Sequence, residues 1–195
     1  RLDRDTSGIL VLSKNADCNA FLKERFRTRS EALAKVYLAV VRGIPDWDTQ
    51  EVHAAIGVNE DSEIGLRRCV RADGLPAWTT VRVLERWHDR DLALVTCHIH
   101  TGRTHQIRVH LEHLGVPILG DRMYGHDDQL FLDYLRQGVT PSGRARARFP
   151  RQCLHAWRMR LPHPSGSVLD LEAPPPADLR RLLDGAPAEW PEETP

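Results

Sequence analysis

The 195-residue chain is 41% hydrophobic and 28% charged, and its 27 Lys and Arg are matched by 27 Asp and Glu, giving a net charge of zero with His neutral. That composition fits one soluble globular unit with a substantial core, and no apolar run approaches the roughly 18 residues that would span a bilayer, which argues against membrane insertion. Zero net charge by itself also argues against a nucleic-acid binder, because phosphate contacts need cationic surface.

Residues 9–13, the apolar run after Gly8, read as a buried strand. Residues 17–28 read as a helix with Ala20, Phe21 and Phe26 inward and Lys23, Arg25 and Arg27 outward, and residues 35–42 as a strand ended by Gly43. These three form a β-α-β start. Two further strands are expected at 77–84 and 92–100, joined through a polar, hairpin-like connection at 87–90. Residues 104–114 place Ile107, Leu111 and Leu114 at helical spacing and stop at Gly115, as a short amphipathic helix should. Residues 125–152 resemble an insertion with a helix at 129–137 and an Arg-rich loop. Strand character returns at 154–161 and 167–171 across a turn at 163–166. Three prolines, 174–176, precede a short helix at 177–183 and an acidic, Pro-rich tail expected to be disordered. The fold class is therefore α+β: a mixed, mainly antiparallel sheet with flanking helices.

Cys18, Cys69, Cys97 and Cys153 are far apart with no C-x-x-C pair, which suits reduced, mostly buried thiols in a cytoplasmic protein. Cationic residues cluster at 23–29, at 67–71 and at 144–151, and the three patches are candidates to line one groove; the plain alternative is three solvated faces. The first residue is Arg1 and not Met, and the true N-terminus is expected to lie upstream.

Two segments concentrate chemistry. Arg1-Leu2-Asp3-Arg4-Asp5-Thr6-Ser7-Gly8 sets a carboxylate among guanidinium groups, an arrangement that favours the ionised acid; alternatively it is a turn capped by Asp5, Thr6 and Ser7. The second segment is Thr101-Gly102-Arg103-Thr104-His105-Gln106-Ile107-Arg108-Val109-His110, dense in anion-binding groups where a strand turns into a helix. If Thr104 begins that helix, Arg108 lies one turn on, and its planar fork is suited to a carboxylate such as Asp3.

These residues resemble the RluA class of pseudouridine synthases. That family's catalytic loop, H-R-L-D-x-x-T-S-G, is matched from Arg1 to Gly8 without the leading His. Its K-x-Y-x-A motif is matched by Lys35-Val36-Tyr37-Leu38-Ala39. Its G-R-T-H-Q-[IL]-R-x-H motif followed by G-x-P-[IL]-x-G-D-x-x-Y is matched by residues 102–110 and 115–124, and Leu154-His155-Ala156 leading to Pro162-His163-Pro164 is also familial. The resemblance implies a pseudouridine synthase fold over residues 1–173, lacking its N-terminal part and carrying the insertion, followed by the tail at 174–195. It implies isomerisation of uridine in ribosomal or transfer RNA to pseudouridine, with no metal or organic cofactor, by a protein expected to be a monomer. Asp3 would act at ribose C1′, Arg108 would hold Asp3, and Tyr37 would face the base, by stacking and as a candidate proton acceptor at C5. Asp5 is expected to be structural, because an isomerase needs no second carboxylate to activate water. Arg1 would fill the space of the extruded nucleotide. Arg4, Arg103, His105 and Gln106 are assigned to RNA binding, the last three alternatively as loop braces.

Two other readings stay open on sequence. His98, His100, His105, His110 and His113 fall close together, as in a metallohydrolase, although Arg103 and Arg108 among them would repel a cation. A non-catalytic RNA-binding module is the other, since the family's first strand, its K-P-x-G segment and the His before Arg1 are lacking here. The expectation is that these residues alone fold poorly or turn over weakly, and that upstream residues restore them.

Overall fold

The computed structural model describes residues 1–28 and 32–190. Among the described residues the chain runs β1 (Ser7–Gly8), α1 (Ala16–Thr28), β2 (Ala34–Arg42), β3 (Thr49–His53), β4 (Ile56–Val58), β5 (Arg68–Val70), β6 (Trp78–Trp87), β7 (Leu92–Ile99), α2 (Gln106–His113), α3 (Asp128–Gln137), α4 (Pro141–Ala147), β8 (Leu154–Pro162), β9 (Val168–Glu172) and α5 (Ala177–Leu183). Seven strands form one sheet in the order β1-β8-β2-β7-β6-β3, with β9 pairing β8 beside β1. All its ladders are antiparallel except β1 on β8. The mixed, mainly antiparallel sheet expected from sequence is the fold observed.

β2 sits between β7 and β8 because its run Val36-Tyr37-Leu38-Ala39-Val40-Val41 is apolar without alternation, as a strand covered on both faces requires. β7 instead alternates: Ala93, Val95, Cys97 and Ile99 are buried while Leu94, Thr96 and His98 are half-covered. The buried set meets Ile107 and Leu111 of α2 in the main core, which also takes in Val52, Val81, Phe149 and, from α5, Leu179 and Leu182. A smaller cluster joins Ile56, Ile64, Val109 and Tyr124, tying the β4–β5 ribbon to α2. A third packs Leu22 of α1 on Met159 and Leu161 of β8.

Several sequence expectations change. Residues 9–13 are not a strand: β1 pairs for two residues only, and Leu10 and Leu12 are exposed, since after Ile9 donates to the carbonyl of Ala156 the chain leaves the sheet. β1 and β2 are not neighbours, because β8 lies between them. On α1 the inward residues are Leu22 and, partly, Cys18 and Phe21, whereas Ala20 and Phe26 are exposed. β6 runs on through Trp87 past a bulge at Val83–Glu85, which moves the hairpin turn to residues 88–91. β3, β4 and β5 were not legible, being short and mostly polar on their outer sides. The Arg-rich stretch is a helix, α4, started by Thr140 accepting from the Gly143 amide and by Pro141 in its first turn. The helix expected at 177–183 is present as α5 and its Leu179 and Leu182 join the core, Trp190 lies against Arg144, and the last five residues of the expected tail lie outside those described.

Candidate active site

The loop carrying Asp3 is held from several sides. β1 binds it to β8, and the Ser7 hydroxyl meets His155 Nδ1 at 2.9 Å while His155 Nε2 donates to the Ala173 carbonyl at 2.9 Å. Thr6 accepts from the Gln152 amide at 2.7 Å and closes a turn onto the Asp3 carbonyl at 3.0 Å. Arg151, paired with Asp178 at 2.7 Å, donates to the carbonyl of Asp5. A turn is thus present, closed by the Thr6 amide and not capped by the side chains of Asp5, Thr6 and Ser7, and it fixes the position of Asp3.

The second segment forms the opposite wall. The helix starts at Gln106 and not Thr104, because His105 adopts a left-handed conformation, φ 57°, and makes no side-chain cap. That conformation costs a non-glycine residue about 1 kcal/mol. Two contacts offset it. His105 Nδ1 hydrogen-bonds the Tyr124 hydroxyl at 2.8 Å, and the next residue, Gln106, locks the loop. Its carbonyl accepts from Thr101 Oγ1 at 2.6 Å and from the Arg103 amide at 3.0 Å, and its NH2 donates to the Trp78 carbonyl at 2.9 Å and Thr79 Oγ1 at 2.8 Å. The Gln106 side chain thus spends its hydrogen bonds inside the protein, as the loop-brace alternative expects, while the residue also lines the cavity that contains Asp3.

Arg108, in the first turn of α2, donates Nη1 to Asp3 Oδ2 at 3.0 Å. Its other side grips Asp121: Nε to Oδ2 at 2.6 Å and Nη2 to Oδ1 at 2.9 Å. Burial works against the guanidinium's charge, but Asp121 and then Asp3 more than offset it, so its pKa is raised. Asp121 is itself fixed by the amides of Met123 and Tyr124, and the Tyr124 ring lies under the guanidinium, 4.7 Å away. Sequence reasoning gave Asp121 and Tyr124 no role, although both stand in the quoted motif; only their spatial convergence on Arg108 reveals one.

Asp3, Tyr37, Arg108, Arg1, Arg103 and His105 line one cavity of about 400 Å³. Burial, and secondarily the charge of Asp3, push the Tyr37 phenol up to about 12. His105 is held well below its ordinary value by burial and by Arg108, which favours the neutral ring near neutral pH. Arg4 is turned elsewhere, ion-paired with Asp5 at 3.1 Å and donating to Tyr134. The expected basic groove is also reduced: Arg67 pairs with Asp128 and Glu112, Arg71 with Asp73, Arg146 with Asp127, and Arg27 with Glu24. Nor do the histidines make a metal centre: among the described residues no three His, Cys, Asp or Glu side chains converge as ligands. His110, for one, is buried, with Nε2 donating to the Ala54 carbonyl and Nδ1 on Thr79.

The model of the family described as RNA pseudouridylate synthase matches residues 1–113. Among similar proteins, the ribosomal large subunit pseudouridine synthase D of Nitrosomonas europaea is 40% identical over 185 residues, covering 94% of this chain and 49% of that protein. The chloroplastic RNA pseudouridine synthase 2 of Arabidopsis thaliana is 32% identical over 195 residues, covering 94% and 44%. The chain thus spans about half the length of these relatives. Among solved structures, human RNA pseudouridylate synthase domain containing 1 superposes with a TM-score of 0.74 at 30% identity, over 99% of this chain and 74% of that one.

Proposed function

The chain belongs to the RNA pseudouridylate synthase family, in its RluA class, and on that premise we propose that the protein isomerises uridine in structured RNA to pseudouridine. In this reaction the bond from ribose C1′ to uracil N1 breaks, the base turns, C1′ bonds to C5, and the C5 proton is replaced by one on N1, so that atoms and charge balance. The observation that carries the reading is the 3.0 Å contact of Asp3 with Arg108 inside a cavity shared with Tyr37. As the N1 bond lengthens, positive character grows at C1′, and the Asp3 carboxylate stabilises it, captures it, or relieves it by removing a neighbouring proton. Arg108 holds that carboxylate in place, and Asp121 holds Arg108. The Tyr37 phenol, protonated at neutral pH, packs on the base and donates; only after losing its proton would it accept the one leaving C5. The partly apolar cavity keeps water from C1′, which an isomerase requires where a hydrolase would admit it. Arg1 takes the place of the extruded base in the stack, and Arg103, on the cavity wall, meets the backbone.

The reading calls for no metal or organic cofactor. The proposed substrate is a stem-loop of ribosomal or transfer RNA, met by a monomer in the cytoplasm; among the described residues no helix is long and apolar enough to cross a membrane. The test is pseudouridine mapping of total RNA from cells lacking the gene, complemented with wild type or with Asp3→Asn. Sites restored by wild type alone support the reading and identify the uridine. Sites restored equally by both, or by neither, overturn it.

A further inference from the structure

Side chains alternate along β2, so Lys35 falls on the same face as Tyr37, and both line the cavity that contains Asp3. Lys35 is a partly buried cation of that cavity, which Arg1, Lys23 and Arg103 also line. Burial lowers its pKa, and its side-chain nitrogen lies 5.5 Å from the centre of the Phe26 ring. Among the described residues no carboxylate pairs with it and no acceptor takes a hydrogen bond from it. Three inward guanidinium groups are answered by carboxylates, Arg108 by Asp121 and Asp3, Arg67 by Asp128 and Glu112, and Arg151 by Asp178, whereas Arg42 and Arg122, away from this cavity, donate among the described residues to carbonyls alone. A cation taken from water without a counter-charge raises the free energy of the empty site, and an anion that enters the site removes that penalty.

The position of the ammonium narrows the identity of the anion. A Cβ placed on Gly102 would lie 3.7 Å from Lys35 Nζ, so the ammonium stands over the turn that leads into Arg103, whose side chain lines the same cavity. Asp3 addresses the ribose and Tyr37 the base. The base is neutral, whereas the ribose carries an anionic phosphate on each of its two linking oxygens. Resting on the function proposed above, we propose that Lys35 binds a backbone phosphate of the extruded uridine nucleotide and so fixes the ribose with C1′ toward Asp3.

Two measurements on the full-length protein test this. The first uses small probes and is independent of turnover: uridine, uridine 3′-monophosphate and uridine 5′-monophosphate are titrated and followed by NMR. Wild type is expected to bind one of the monophosphates about tenfold more tightly than uridine, with Lys35→Gln losing that preference and Lys35→Arg keeping it. The second uses the RNA stem-loop identified by mapping. Lys35→Gln is expected to raise KM more than it lowers kcat, and to reduce the slope of log affinity against log salt by about 0.7, the value for one contact to a single strand. A wild type indifferent to the phosphate, a Lys35→Gln variant that keeps the preference, or an unchanged salt slope would overturn the proposal. If wild type makes no pseudouridine yet discriminates the monophosphates through Lys35, the proposed reaction falls and the phosphate site stands.

Discussion

Arg108 joins two carboxylates of different character. Asp121 has a fully buried side chain, whereas Asp3 is 30% exposed toward the cavity. Removing one partner of a buried pair leaves an uncompensated charge, so Arg108→Met should lower unfolding free energy by about 3–5 kcal/mol in chemical denaturation, on top of its effect on activity. Asp3→Asn should behave differently, because Arg108 keeps Asp121: stability should change by no more than about 1 kcal/mol while pseudouridine formation falls at least ~1000-fold. A strongly destabilised Asp3→Asn protein would show that this carboxylate is structural. The spacing of Asp3, Tyr37 and Arg108 was legible in the letters, because each stands in a dense motif. The parts played by Asp121 and Lys35 were not, and the choice between brace and RNA contact for Gln106 stayed open, since what distinguishes a ligand-facing polar group from a satisfied one is the set of its neighbours.

At the scale of elements, the site depends on a pairing of only two residues. β1 is anchored where Gly8, at φ 108°, presses against β8, and a Cβ there would fall 2.2 Å from the carbonyl oxygen of Ala156. Gly8→Ala must therefore displace β1. The expected cost is at least about 2 kcal/mol in stability, with a fall in kcat of about 100-fold as Asp3 shifts relative to Arg108. Normal turnover by a Gly8→Ala variant would mean that β1 does not set the position of the loop. Helix α2 was anticipated from its apolar periodicity, and strand β2 from an unbroken apolar run ended by Gly43. Residues 9–13 misled, since a short apolar run reads as a strand whether or not a neighbouring strand has free backbone groups to receive it, and here β9 takes the remaining length of β8.

Over the whole molecule, α5 and the acid response bear on how the sheet is completed. Leu179 is fully buried in the main core, so Leu179→Ala should cost about 2–4 kcal/mol, and a chain ending at residue 173 should lose cooperative thermal unfolding. Cooperative melting of that shorter chain at the wild-type temperature would remove α5 from the folding unit. Five histidines, His98, His100, His105, His110 and His126, are held below their ordinary pKa, each chiefly by burial, and His126 is pushed down to about 4. Such groups are neutral when folded but take up a proton near pH 6.5 when unfolded. The unfolded chain thus binds more protons between those values, and Tm should fall as pH drops from about 6.5 toward 4, with His126→Gln flattening the fall. A Tm constant over that window would contradict the burial of these rings. The strongly patterned elements, the α+β class and the three motifs can be read along the chain, because periodicity and dense polar clusters are local properties. The folded arrangement settles that β8 enters between β1 and β2, that Arg108 reaches Asp3 across 105 positions, and that Arg67, Arg71 and Arg146 are paired with carboxylates while Lys35 faces the cavity. Those outcomes depend on which distant groups exclude water from one another, and no window of neighbouring residues contains that information.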